Sequence, residues 1–281
     1  MPVRWEDMLD GDDKMEQCNG KGKINILGIP IDAVSMAEAV RRVAGFIDSV
    51  AGGGGLVLIP SLLLAGIPPQ AALGTNKFAA IFGTSTALIN FMKSGKVIWE
   101  IAGFGLAFSV LGSVIGTKAI LYFDQNTTVK IIVMMLPVTV IVTFLPKRRL
   151  KESISDFSKK DLYLYTPLLC FIIGFYDGFF GPGTGTFLIF GFYVFLGLHL
   201  INASAVSKVF NLASNIGSFV TFAFADKVLY SIGIPIAAAN MVGGYVGSVL
   251  AIQKGQRFIQ VSLLIVFGIL FLTLINRIWQ G

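Results

Sequence analysis

The chain has 281 residues, 54% of them hydrophobic and 14% charged, against roughly 25% charged in an average soluble domain; this excludes an ordinary water-soluble globule and points to a polytopic membrane protein. At about 20 residues per span there is room for roughly eight passes and short loops. The net charge of +6 collects in connecting segments and reads as a topology signal, so no nucleic-acid partner is expected.

Residues 1–42 are expected to form a polar N-terminal extension, partly disordered, with residues 1–23 acidic-rich and without periodicity. Within it, Ile24 to Val40 reads as a short strand, a turn and an amphipathic helix capped by Ser35 with Glu38 three residues on. Residues 24–44 resemble the opening strand and helix of the WecG/TagA-type N-acetylmannosaminyltransferases, without any of that family's catalytic residues.

From Val43 the character changes. The run Gly45-Phe46-Ile47-Asp48-Ser49-Val50-Ala51-Gly52-Gly53-Gly54-Gly55 places a carboxylate in apolar sequence, four residues before glycines that make continuous helix improbable. Leu56 to Ala65 is an apolar arm containing Pro60; at 1.5 Å per residue it covers about half of a bilayer and should dip and stop. After Gly66-Ile67-Pro68-Pro69, spans are expected at 71–92, 97–121 and 128–145, completing a first repeat over 43–145. A basic linker follows at 146–161, with Lys147, Arg148, Arg149, Lys151, Lys159 and Lys160.

The second repeat, 162–281, follows the same plan. An arm at 162–180 carries Asp177 into the break Gly178-Phe179-Phe180-Gly181-Pro182-Gly183-Thr184-Gly185. A second arm at 184–197, a loop around His199 and spans at 204–225, 228–252 and 258–276 follow. Asp48 aligns with Asp177 at an offset of 129 positions, and Lys77 aligns with Lys208 at an offset of 131, as do Gly112 with Gly243 and Gly116 with Gly247. Such order indicates an internal duplication. A hairpin returns to its side of entry and three crossings follow, so the second copy is inverted. Lys93 and Lys96, the linker, and Lys254 and Arg257 then fall on one face, the cytoplasmic one. The expected fold is all-α: a polytopic membrane protein of two inverted-topology repeats, each a glycine-broken hairpin plus three transmembrane helices.

Gly45 to Pro60, Gly66 to Lys77, Gly174 to Gly185 and Asn202-Ala203-Ser204-Ala205-Val206-Ser207-Lys208 together resemble the sulfite exporter TauE/SafE family, also called the 4-toluene sulfonate uptake permeases, over residues 43–276. The resemblance implies a multi-pass carrier of small sulfur-containing anions such as sulfite or sulfonates in a prokaryotic plasma membrane. One departure stands out. The family begins with an apolar arm, whereas Asp32, Glu38, Arg41 and Arg42 precede Asp48 here, and each charge at a helix centre costs about 2.5–3.5 kcal/mol to insert.

Glycine breaks that open short helices expose several N–H groups at the positive end of a helix dipole, which is an anion cradle without side chains. Gly52, Gly53, Gly54 and Gly55 would face Gly181, Gly183, Thr184 and Gly185; the alternative is that these glycines serve close helix packing. Lys77 after Asn76, and Lys208 after Ser207, would attract the anion, one at each mouth, or else snorkel to the headgroups. Asp48 and Asp177 would couple transport to a proton or cation, or else accept N–H bonds and hold the break in shape. Asn90, Asn211 and Asn215 could line the path or join helices, and His199 reads as a surface residue.

No catalytic constellation, cofactor or metal site is expected. The chain has one histidine, and Cys18 and Cys170 are isolated. No glycine run leads into the Lys-Ser/Thr of a phosphate loop. The expected function is alternating-access transport of a small sulfur-containing anion across the bilayer. The alternatives are an anion channel and, from another class, a membrane-attached glycosyltransferase fragment.

Overall fold

The computed structural model describes residues 23–26, 29–32, 55–64, 66–144 and 161–254. Residues 1–39 and 40–281 form two compact units. In the first, β1 (Lys23–Ile26) and β2 (Ile29–Asp32) pair antiparallel, with Ile26 opposite Ile29 and Asn25 opposite Pro30. A second strand thus stands where a turn was expected. Pro30 has no N–H for a ladder, but in a two-stranded hairpin every strand is an edge and tolerates it. The helix expected after Ser35 lies outside the described residues.

The described part of the second unit is helical: α1 (Gly55–Leu64), α2 (Pro69–Lys93), α3 (Trp99–Leu121), α4 (Gln125–Phe144), α5 (Thr166–Phe179) after one π-helical turn at Asp161–Tyr165, α6 (Thr184–Phe195), α7 (Leu200–Phe224) and α8 (Tyr230–Lys254). The 258–276 span lies outside the described residues. Trp99–Leu121, Leu162–Phe179 and Tyr230–Lys254 are long and apolar enough to cross a membrane. Leu111, Ile115, Ile172 and Val242 are exposed on them, as lipid-facing residues are.

The spans of α2 and α7 begin earlier than expected, at Pro69 and Leu200 rather than 71 and 204. Pro69 suits a first helical position because its fixed φ is helical and its missing N–H would be unsatisfied there anyway. Asn202, which broke the apolar pattern, sits in the first turn of α7 and donates to Lys96 O at 3.1 Å in the α2–α3 loop. Asp124 opens α4 by accepting from the Thr127 N–H at 3.1 Å and the Thr127 hydroxyl at 2.5 Å. These bonds, the hydroxyl's first, hold its carboxyl below the usual aspartate range.

Three packings position the centre. Along α3 and α5 the backbones touch: a methyl group at Gly116 would overlap Phe175 O, and one at Gly178 would overlap Ser113 O. The Thr117 hydroxyl donates to Gly178 O at 3.1 Å across the same seam. With lipid outside, helix association rests on such close van der Waals contact rather than on hydrophobic expulsion. At the other side α8 lies along α2, where Gly244 meets the backbone of Gly83 and Asn90 donates to Ser248 Oγ at 2.8 Å. The start of α7 meets the loop at Lys96. The start of α2 meets the loop before α8, where Leu229 N donates to Thr75 Oγ1 at 3.0 Å. α2 and α7 therefore run antiparallel.

Candidate functional site

The turn between α5 and α6 requires its glycines. Gly181 and Gly183 have φ of +93° and +83°, a region that side-chain-bearing residues rarely adopt. Pro182 between them has no N–H and cannot continue a helix. The Tyr176 hydroxyl donates to Pro182 O at 2.6 Å, and the N–H groups of Phe180 and Gly181 donate back to Tyr176 O. The break is thus tied into one conformation. Thr184 then opens α6, with its N–H on Gly181 O at 3.2 Å.

The start of α1 arrives at the same place. A methyl group on Gly55, the first residue of α1, would lie 3.3 Å from Asn76 Nδ2 and 3.5 Å from Pro182 Cα. The start of α1 therefore lies against the break that opens α6. The N-terminal ends of both short helices meet at this junction, where their dipoles are positive.

Asp177 lies in the last turn of α5, where the helix dipole disfavours a carboxylate. Its partners offset that cost. Oδ1 meets Lys77 Nζ at 2.6 Å and accepts from the Thr184 hydroxyl at 2.6 Å; Oδ2 accepts from the Ser214 hydroxyl at 2.6 Å. The Lys77 ammonium also donates to Asn215 Oδ1 at 3.3 Å, and Asn215 Nδ2 donates to Asn211 Oδ1 at 3.3 Å. Lys77 and Asp177 are each 2% exposed. A methyl group on Gly181 would come within 2.7 Å of Lys77 Nζ, so the ammonium sits directly against the break. Ile59, Leu73 and Phe180 pack in one apolar cluster and Cys170, Ile173, Leu188 and Phe210 in another, both fully or nearly buried.

Of the residues singled out in the sequence, Gly55, Asn76, Lys77, Asp177, Gly181 and Thr184 come together here. Gly183 and Gly185 flank the break and the start of α6, and both are buried. Ser207 and Lys208 are buried on α7 but lie two turns before Asn215, about 10 Å along the axis. Asp48, Gly52, Gly53 and Gly54 lie outside the described residues. Lys77 and Lys208 each stand about 12 Å into their helices rather than at their starts. Lys77 ends on Asp177 inside the protein, so it does not snorkel. Asn215 and Asn211 belong to the charged group, whereas Asn90 joins α2 to α8. His199 is exposed just before α7.

Ser214 was missed by the sequence reading. The signal was present: Ser204, Ser207, Asn211, Ser214 and Ser218 follow at steps of three and four, one face of a helix, and all are buried.

The family model described as sulfite exporter TauE/SafE matches residues 39–274. A probable membrane transporter protein of Sinorhizobium sp is 36% identical over 249 residues, covering 85% of this chain and 93% of that protein. One of Haemophilus influenzae is 37% identical over 238 residues, 83% of this chain and 91% of its own length. The probable membrane transporter protein YfcA of Escherichia coli is 35% identical over 235 residues, 82% and 85% respectively. No solved structure matches the chain. Buried polar groups gathered at the break between α5 and α6, within an apolar helical bundle, agree with these likenesses: the chain belongs to the sulfite exporter TauE/SafE family and is a multi-pass membrane transporter.

Proposed function

We propose that the protein carries small sulfur-containing anions, such as sulfite or a sulfonate, by alternating access between two inverted repeats. The observation that carries this reading is the junction itself: the start of α1 at Gly55 lies against Pro182, and the Lys77 ammonium lies against Gly181. Two helix starts and one buried cation facing one point attract a small anion by dipole and charge together. Asn76, Gly183, Thr184 and Gly185 supply further donors around that point, with Gly52, Gly53 and Gly54 as the first break's contribution. Ser207 and Lys208 offer an equivalent station along α7. Asp177 is the coupling carboxylate, with Asp48 as its counterpart in sequence.

The antiparallel course of α2 and α7, whose lysines align in sequence, supports the inverted arrangement. The test is uptake of radiolabelled sulfite, thiosulfate and methanesulfonate into proteoliposomes. Saturable uptake of at least one is expected. Flux that does not saturate makes the protein a channel, and no flux of any sulfur anion removes the substrate class.

A further inference from the structure

α2 and α7 share a pattern along one face. Steps of seven from each lysine give Lys77, Thr84 and Phe91 on α2 and Lys208, Asn215 and Phe222 on α7. Seven residues fall about 20° short of two full turns, so each trio lies along one side of its helix. All six residues are buried. Asn215 accepts from the Lys77 ammonium, which turns that side of α7 toward α2. Each face thus runs from a cation through a polar side chain to a fully buried aromatic ring.

The helices are antiparallel, so the two rings lie at opposite ends. Phe222 stands about 10 Å past Asn215 in one direction, and Phe91 about 21 Å past Lys77 in the other. Together they span about 30 Å, the thickness of a bilayer's hydrocarbon core. Each ring also joins the two halves of the chain. Phe91, from the first half, is clustered with Ala205 and Val209 of α7 and Ala251 of α8. Phe222, from the second half, is clustered with Ile59 of α1, Leu73 of α2 and Ile120 of α3. The backbone behind each ring is tied to its own loop: Phe91 O accepts from the Lys96 N–H at 3.3 Å and Phe222 O from the Lys227 N–H at 2.9 Å. The chain turns back there through Gly95 and Asp226, both at positive φ.

Resting on the alternating-access carrier proposed above, we infer that Phe91 and Phe222 are its two gates. An anion passing either ring would shed its hydration among apolar groups, which is costly, and a narrow apolar constriction also empties of water. Each ring is carried by one half and seated on the other, so parting the halves at one end unseats one ring and leaves the other shut. With both rings fully buried, the structure is the closed intermediate between the two openings. One gate is enough to hold back the anion.

The test reads chloride influx into sealed proteoliposomes holding a chloride-quenched dye, with valinomycin to balance charge, and needs no knowledge of the transported anion. The unaltered protein, Phe91→Ala and Phe222→Ala should each stay tight, because a ring still closes the path. The double variant should leak, faster than either single variant by about tenfold or more. Melting losses should add across the two sites, which are too far apart to couple; rings that serve packing alone would show that additivity and no jump in leak. A folded double variant that stays tight, or a single variant that leaks as fast as the double, overturns the gates. Should the double variant not fold, each ring is probed by itself. In a chain with Cys18→Ser and Cys170→Ala, Phe91→Cys and Phe222→Cys should react with a membrane-impermeant maleimide from opposite sides of the vesicle. Folded variants that react from neither side, or from the same side, overturn the gates too. An unaltered protein that leaks chloride is a channel, which overturns both carrier and gates. An unaltered protein that is tight but moves no sulfur anion loses the proposed substrate and leaves the gates to the leak and labelling results.

Discussion

α2 and α7 are the same length, 25 residues each. Both follow a glycine of positive φ, Gly66 or Gly197, and each carries a buried lysine at its ninth residue. Beyond the lysine they differ. Where α7 has Asn211, Ser214, Asn215 and Ser218, the aligned positions of α2 are Ala80, Gly83, Thr84 and Ala87. On α7, Ser214 and Asn215 hold Asp177 and Lys77 with Asn211 behind them, while the buried Ser218 hydroxyl has no hydrogen-bond partner among the described residues. α2 uses Gly83 to let α8 approach its backbone, and the Thr84 hydroxyl has no hydrogen-bond partner among the described residues. Beyond the lysine, α7 thus turns polar side chains toward the charged pair where α2 has small residues that let α8 approach.

The largest effect expected is at the bond that joins the two helices to the break. Lys77→Met leaves Asp177 buried without its cation, a loss of about 3–5 kcal/mol, and abolishes saturable uptake. Adding Asp177→Asn to it should recover much of the thermal stability but none of the uptake; recovery of uptake would show that the pair serves shape alone. The next test exchanges the residues that distinguish the helices. Gly83→Ser places a side chain 2.9 Å from Asn240 O and should cost about 1–3 kcal/mol by overpacking, seen as a lower melting temperature. Its mirror, Ser214→Gly, should leave the fold intact by size-exclusion profile and impair uptake. Equal thermal losses in both would erase the division of labour.

Thr84→Val should raise stability by about 1 kcal/mol, since it removes a buried hydroxyl without a partner; a loss of that size would mean the hydroxyl is satisfied. The smallest effect lies outside both helices. Asp124 has a lowered carboxyl pKa in the folded protein, so its cap contributes fully above the unfolded value of about 3.9 and is lost as pH falls below it. The small melting difference between the protein and Asp124→Asn should therefore persist at neutral pH, vanish in acid and leave uptake unchanged.

Much of this was legible in the sequence. Hydropathy located the spans that the structure describes, because a bilayer admits few other apolar segments of that length, and the two glycine runs carried the family resemblance. The lysines were misplaced because helix starts were set by apolar residues, whereas Pro69 and Leu200 begin the helices earlier. The pairing of Lys77 with Asp177 was not legible: they lie 100 positions apart, and only the antiparallel course of α2 and α7 with the turn at Gly181 brings them together. The polar stripe of α7 was legible by its spacing but escaped notice when its asparagines were weighed singly.

In the proposed function the anion lies where the starts of α1 and α6 meet. Anomalous diffraction from crystals soaked in bromomethanesulfonate tests this directly. A bromine peak beside Gly55, Gly183 and Thr184, with the sulfonate within hydrogen-bond reach of Lys77 Nζ, is the predicted result. A fully occupied peak elsewhere, with the Lys77–Asp177 pair undisturbed, would contradict it.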